Sequence, residues 1–206
     1  MSGESVAQPH PMNDTASPTI LIVPGLRYHV AAHWQTLLEQ KLANAKCVPR
    51  MEPGQDKLSC AAWVAELDKS LAAIAGPVIL VAHSAGAMIV VHWAQRHRRP
   101  IAGALLAAPP DFESPLPEGY PTQQVLRDNG WLPTPRAALP FPTIVAASTN
   151  DPLGRYERIE ALARGWGGKL INVGNVGHLN PASGYGEWPQ AEEFIDELAH
   201  ASTSPR

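Results

Sequence analysis

The chain has 206 residues, 45% of them hydrophobic, which is enough for one well-buried core and too little for two ordinary domains. With 16 basic and 19 acidic residues its formal charge is −3, and no basic run exceeds Arg96-His97-Arg98-Arg99, so nothing in it is patterned for nucleic acid or an anionic membrane. Two cysteines, Cys47 and Cys60, are too few for a disulfide framework or a zinc site, and are expected to be reduced and structural, as in a cytoplasmic protein.

Residues 1–18 are polar, contain Pro9, Pro11 and Pro18, and lack a basic start followed by an apolar run. They read as a loose arm rather than a signal peptide, ahead of one domain over 19–200 and a tail over 201–206. No apolar stretch approaches bilayer length. Thr19 to Val23 is a β-branched apolar strand ended by Pro24-Gly25. A helix is expected over Ala31 to Ala43, where Trp34, Leu37, Leu38 and Leu42 share a face. A short strand from Lys46 to Arg50 follows, and then a helix over Ser59 to Ile74 carrying Trp63, Leu67 and Leu71. Val78 to Val81 is an uninterrupted apolar strand of the kind buried on both faces.

Immediately after that strand comes Ala82-His83-Ser84-Ala85-Gly86 and then an apolar helix. Too few residues separate strand from helix for a loop, so the chain must turn sharply at Ser84, with Ala82 and Gly86 small enough for a close approach. That is the pattern of a nucleophile elbow, which lifts a serine hydroxyl to a helix N-terminus. A serine that merely caps the helix is the plainer alternative. Further strands are expected at Ile101 to Ala107, Thr143 to Ala147 and Lys169 to Val173, with helices at Arg155 to Arg164 and Pro189 to His200. This alternation predicts an α/β fold of about six mainly parallel strands with helices on both faces. Asp111 to Leu139 breaks the rhythm; it is expected to cover the site, with a small helix at Thr122 to Asp128.

In such sheets ligands bind beyond the carboxyl ends of the strands. Ser84, Asp111, Asp151 and His178 each follow a strand, and they run in the order serine, aspartate, histidine found in α/β-hydrolases. His178, in the glycine-bearing loop Asn175-Val176-Gly177-His178, is the expected base. Asp151 is the favoured acid because it stands beside the His178 strand, and Asp111 is the alternative. Backbone N–H groups of Ala85 and Leu26 are the expected oxyanion donors, with Gly25 allowing the approach. His83 is expected to point away at the turn. His29 and His33 are four apart, but no glutamate follows His29 as in zincins, so no metal and no other cofactor is expected.

Val23-Pro24-Gly25-Leu26, His33-Trp34, Ala82-His83-Ser84-Ala85-Gly86, Ala108-Pro109-Pro110-Asp111, Ser148-Thr149-Asn150-Asp151-Pro152 and Gly177-His178-Leu179-Asn180, with Ser183-Gly184 and Trp188, together resemble the small YdeN-like serine hydrolases grouped with retinoblastoma-binding protein 9. The resemblance spans about residues 19–198. It implies a compact α/β-hydrolase fold lacking the usual first strands and a triad of Ser84, Asp151 and His178. Leu58-Ser59-Cys60-Ala61-Ala62 lacks the glutamate of a Leu-x-Cys-x-Glu segment, so binding to the retinoblastoma protein does not carry over.

The expected activity is that of a carboxylesterase acting on small short-acyl esters. An amidase or acyltransferase using the same residues, or an idle interaction module on the same shell, are the alternatives. Phe112, Tyr120, Leu126, Trp131 and Leu132 of the cover, with Tyr185 and Trp188, are expected to wall a shallow substrate pocket; Trp34 is better suited to the core.

Overall fold

The computed structural model describes residues 17–28, 30–52, 54 and 56–203. Residues 1–16 of the expected arm, together with His29, Pro53, Gln55 and residues 204–206, lie outside the described residues. Six parallel strands form one sheet: β1 (Thr19–Val23), β2 (Ala45–Cys47), β3 (Val78–His83), β4 (Gly103–Ala107), β5 (Thr143–Ala147) and β6 (Lys169–Asn172). Their order is β2-β1-β3-β4-β5-β6, so the winding reverses between β1 and β3. That is the place where a doubly wound sheet opens a crevice for a ligand.

Alternate side chains of each inner strand enter different cores. Leu21, Val23, Leu80, Ala82, Ala104 and Leu106 pack with α2 (Cys60–Ala72), α3 (Ala85–Arg96) and α5 (Tyr156–Trp166). Ile20, Ile22, Ile79, Val81, Leu105 and Ala107 pack with α1 (Trp34–Lys41) and α6 (Gln190–Thr203). The two-residue period of the strands therefore feeds two helical layers, and this is why the inner strands read as unbroken apolar runs. The sixth helix, α4 (Gln123–Asp128), lies in the cover segment.

Several boundaries differ from expectation for local reasons. β2 stops at Cys47, and although the Val48 N–H still donates to Ile22 O at 2.9 Å, the next residue is Pro49, which has no N–H to continue the ladder. α1 begins only at Trp34, because His33 is extended and caps it, its ring accepting from the Gln35 N–H. α2 starts on Ser59, whose hydroxyl accepts from the Ala62 N–H at 3.2 Å. This places Ser59-Cys60-Ala61-Ala62 at a helix start, with Cys60 buried. α5 ends on Gly167 in the left-handed region at φ 71°, while α6 runs on through Thr203, so the expected tail begins as helix. Among the described residues no helix is long and apolar enough to cross a membrane. Cys47 and Cys60 are thiols rather than disulfide partners, each pushed up to about 11 by burial.

Candidate active site

β3 carries the chain straight into α3 through Ser84, which has φ 57° and ψ −131°. A residue with a Cβ held there is strained by about 1–3 kcal/mol, and strain of that kind persists only where the surroundings impose it. Two contacts do so. The Ser84 N–H donates to Ala107 O at 3.0 Å, and at Gly86 an added Cβ would lie 2.2 Å from Val23 O and 2.8 Å from Pro24 O. No residue with a side chain fits between α3 and the end of β1. Although Ser84 occupies the N-cap position, its side chain makes no capping hydrogen bond, which removes the plainer reading. The hydroxyl instead meets His178 Nε2 at 2.8 Å.

On the other side of its ring, His178 Nδ1 lies 2.8 Å from Asp151 Oδ2. A carboxylate only accepts, so Nδ1 carries the proton, and Nε2 is left as the acceptor for the Ser84 O–H. Both side chains of this pair are buried, at 8% and 3% exposure. The second oxygen of Asp151 accepts the Leu153 N–H at 2.8 Å, which fixes the carboxylate plane. The histidine loop is pinned at several points. Gly177 N–H donates to Asn150 Oδ1 at 2.7 Å, His178 N–H to Ser183 Oγ at 3.0 Å, and Trp34 Nε1–H to Leu179 O at 3.1 Å. Gly177 has φ 57°, and a Cβ there would fall 2.5 Å from Ser183 Oγ, so the turn that delivers His178 requires glycine.

Asp111 is not joined to His178. Its carboxylate accepts from Arg158 Nε at 2.9 Å, from the Ser114 hydroxyl at 2.6 Å and from the Glu113 N–H at 3.1 Å. Burial alone would raise this carboxyl, but the bonds from Arg158 and Ser114 and the Arg158 charge together hold it below its ordinary value. Asp111 anchors the start of the cover segment to α5.

A cavity of about 360 Å³ opens at Ser84. Leu26 and Ala85 border it, and so do His33, His83, Leu58, Phe112, Leu116, Tyr120, Pro121, Leu153 and Asn180. Under the Leu26 loop, Gln35 Nε2 donates to Val23 O at 3.3 Å and Val81 O at 3.1 Å, tying β1 to β3.

The serine hydrolase family model matches residues 20–197. The chain belongs to that family. A YdeN-like hydrolase from Pectobacterium atrosepticum is 30% identical, over 90% of this chain and 91% of the other, with a TM-score of 0.74. The ydeN gene product of Bacillus subtilis is 19% identical over 88% and 98% of the two chains, with a TM-score of 0.69. A thermophilic esterase from Thermogutta terrifontis shares the fold at 18% identity and a TM-score of 0.56, over 90% and 89% of the chains. No curated protein matches the chain. The chain is thus a YdeN-like serine hydrolase with the α/β-hydrolase fold.

Other expected positions differ. Trp131, Tyr185 and Trp188 do not border the cavity at Ser84. Trp131 is fully buried against Phe112 and His92, with Nε1–H donating to Leu58 O at 2.6 Å. Trp188 packs edge-on against Trp34 and Phe194, and Tyr185 leans on the same layer. Leu126 is core and Leu132 lies in a separate hollow, so the cover reaches the cavity through Phe112, Leu116 and the loop ahead of α4 rather than through the helix. Trp131 and Trp188 instead bury their rings within the packed layers.

His83, expected to point away at the turn, also differs. It borders the cavity, and its ring Nε2–H donates to His178 O at 2.8 Å. The His33 ring lies tilted against it, with ring centroids 4.8 Å apart. His29, once paired with His33 as a possible metal ligand, lies outside the described residues. Arg27, Lys57 and Leu58 on the cavity wall had no motif to announce them.

Proposed function

We propose that the chain is a carboxylesterase that works through an acyl-enzyme on Ser84. The observation that carries the reading is the continuous hydrogen-bonded line from the Ser84 hydroxyl through His178 to the buried Asp151 carboxylate, 2.8 Å at each link. A serine hydroxyl is a weak nucleophile unless a base takes its proton during attack, and a neutral imidazole with its Nδ1–H held by a carboxylate is such a base. Ser84 Oγ adds to the ester carbonyl as its proton passes to His178 Nε2. The negative charge on the former carbonyl oxygen is met by the N–H of Ala85, at the start of α3, and by that of Leu26, after β1. Collapse expels the alcohol, protonated by His178. Water, deprotonated in turn by His178, then releases the acid and restores Ser84.

The cavity of about 360 Å³ favours small esters over long acyl chains. Hydrolysis of p-nitrophenyl acetate by the purified chain, abolished in Ser84→Ala and His178→Ala variants that retain the fold by circular dichroism, is the expected result. Undiminished hydrolysis by Ser84→Ala refutes the assignment.

A further inference from the structure

Two cations, Arg27 and Lys57, border the cavity that holds Ser84, and no aspartate or glutamate does. The chain as a whole carries −3, so its acidic surplus is placed elsewhere while this wall is positive. Among the described residues none of the salt bridges involves Arg27 or Lys57. Asp56, next to Lys57 in sequence, and Glu118, next to the Gly119 that Arg27 bonds, stand outside the wall, and Asp56 Oδ1 accepts the Leu58 N–H at 2.9 Å. Arg27 is also held in place. One amino group donates to Gly119 O at 2.7 Å, and the guanidinium lies 4.4 Å from the centroid of the Tyr120 ring. This use of one donor and one face leaves other N–H groups of the planar fork free for a carboxylate.

We infer that the substrate is an ester bearing a second, anionic group, a carboxylate a few bonds from the scissile carbonyl, which Arg27 and Lys57 bind. This inference rests on the esterase reading and narrows it. A carboxylate close to two cations at a partly screened site gains on the order of ten-fold in binding over its uncharged counterpart. An acidic wall would reverse that preference, and a neutral one would give none.

The test compares kcat/KM for two matched pairs of esters. In the first pair the charge lies on the acyl side, p-nitrophenyl hydrogen adipate against p-nitrophenyl methyl adipate. In the second it lies on the leaving group, 4-acetoxybenzoate against 4-acetoxybenzamide. The ratio of anionic to neutral ester is measured for the wild type, Arg27→Gln, Lys57→Gln and the double variant, at low and high salt. Using the ratio cancels any general effect of Arg27→Gln on the neighbouring Leu26 loop. The expected result is a ratio on the order of ten in at least one pair, smaller in each single variant, close to one in the double variant, and reduced by salt. Hydrolysis of all four esters without an anionic preference, or a ratio that survives the double substitution, overturns the inference and leaves the esterase reading standing. Absence of hydrolysis of every ester, with no labelling of Ser84 by a fluorophosphonate, overturns both.

Discussion

Replacing Asp151 by asparagine exchanges one oxygen for an amide with little change of shape, and the surroundings dictate how that amide sits. Oδ1 must keep facing the Leu153 N–H, which now donates at 2.8 Å, so the new NH₂ group faces His178 Nδ1. Nδ1 is then forced to accept, the ring proton moves to Nε2, and the ring can no longer take the proton of Ser84. Turning the amide over would restore the useful tautomer but set two buried donors against each other, at about 1–3 kcal/mol, or roughly 5- to 150-fold in population. The variant also loses the charge that stabilises the imidazolium formed during attack. At a charge separation of about 4 Å and an effective dielectric near 20 this is worth about 4 kcal/mol, on the order of 10³ in rate. The two effects together predict a fall in kcat on the order of 10⁴ or more, comparable with other triads of this kind. Asp111→Asn, which touches Arg158 and Ser114 rather than His178, is expected to keep kcat within about ten-fold. Steady-state hydrolysis of p-nitrophenyl acetate by both variants measures the contrast. A kcat for Asp151→Asn within ten-fold of the wild type, or a larger loss in Asp111→Asn, would refute the reasoning.

Gly86→Ala drives a methyl group to 2.2 Å from Val23 O and must push α3 away from β1; the expected cost is about 1–3 kcal/mol, a fall of roughly 2–12 °C in Tm, together with lost activity. An unchanged melting curve would contradict the close approach. The lowered Asp111 carboxyl contributes stability that is fully present above its ordinary value of about 3.9 and is lost as the pH falls through the lower folded value, so Asp111→Asn should flatten the acid limb of a Tm-against-pH profile. Parallel acid limbs in both proteins would contradict this. Along a p-nitrophenyl ester series kcat/KM should rise by the gain from each buried methylene, about 0.8 kcal/mol, only until the cavity fills, peaking at about two to six acyl carbons. A peak at long fatty acyl chains would require a groove that the cavity of about 360 Å³ does not provide.

The sheet was legible because its inner strands are buried on both faces, and Thr19–Val23 and Thr143–Ala147 fall where their apolar runs do. The elbow was legible because strand, small residues and helix adjoin without a loop. What sequence left open was direction. Asp111 and Asp151 both follow strands, and only three-dimensional placement puts Arg158 against the first and His178 against the second. His83 was expected to turn away, yet the reversal at Ser84 that aims the hydroxyl at His178 leaves the preceding ring free to reach His178 O. Trp131, Tyr185 and Trp188 looked like pocket walls because they sit in loops, and a loop position does not reveal that the side chain fills a gap beneath it. Arg27 and Lys57 belong to no periodic pattern, so their place on the cavity wall comes from the chain path alone.

The most direct measurement is the site of covalent modification by a fluorophosphonate, read by mass spectrometry of the digested protein. One adduct is expected, on Ser84, formed far more slowly in His178→Ala and absent in Ser84→Ala. Labelling at another residue, or equal rates in the wild type and His178→Ala, would contradict it.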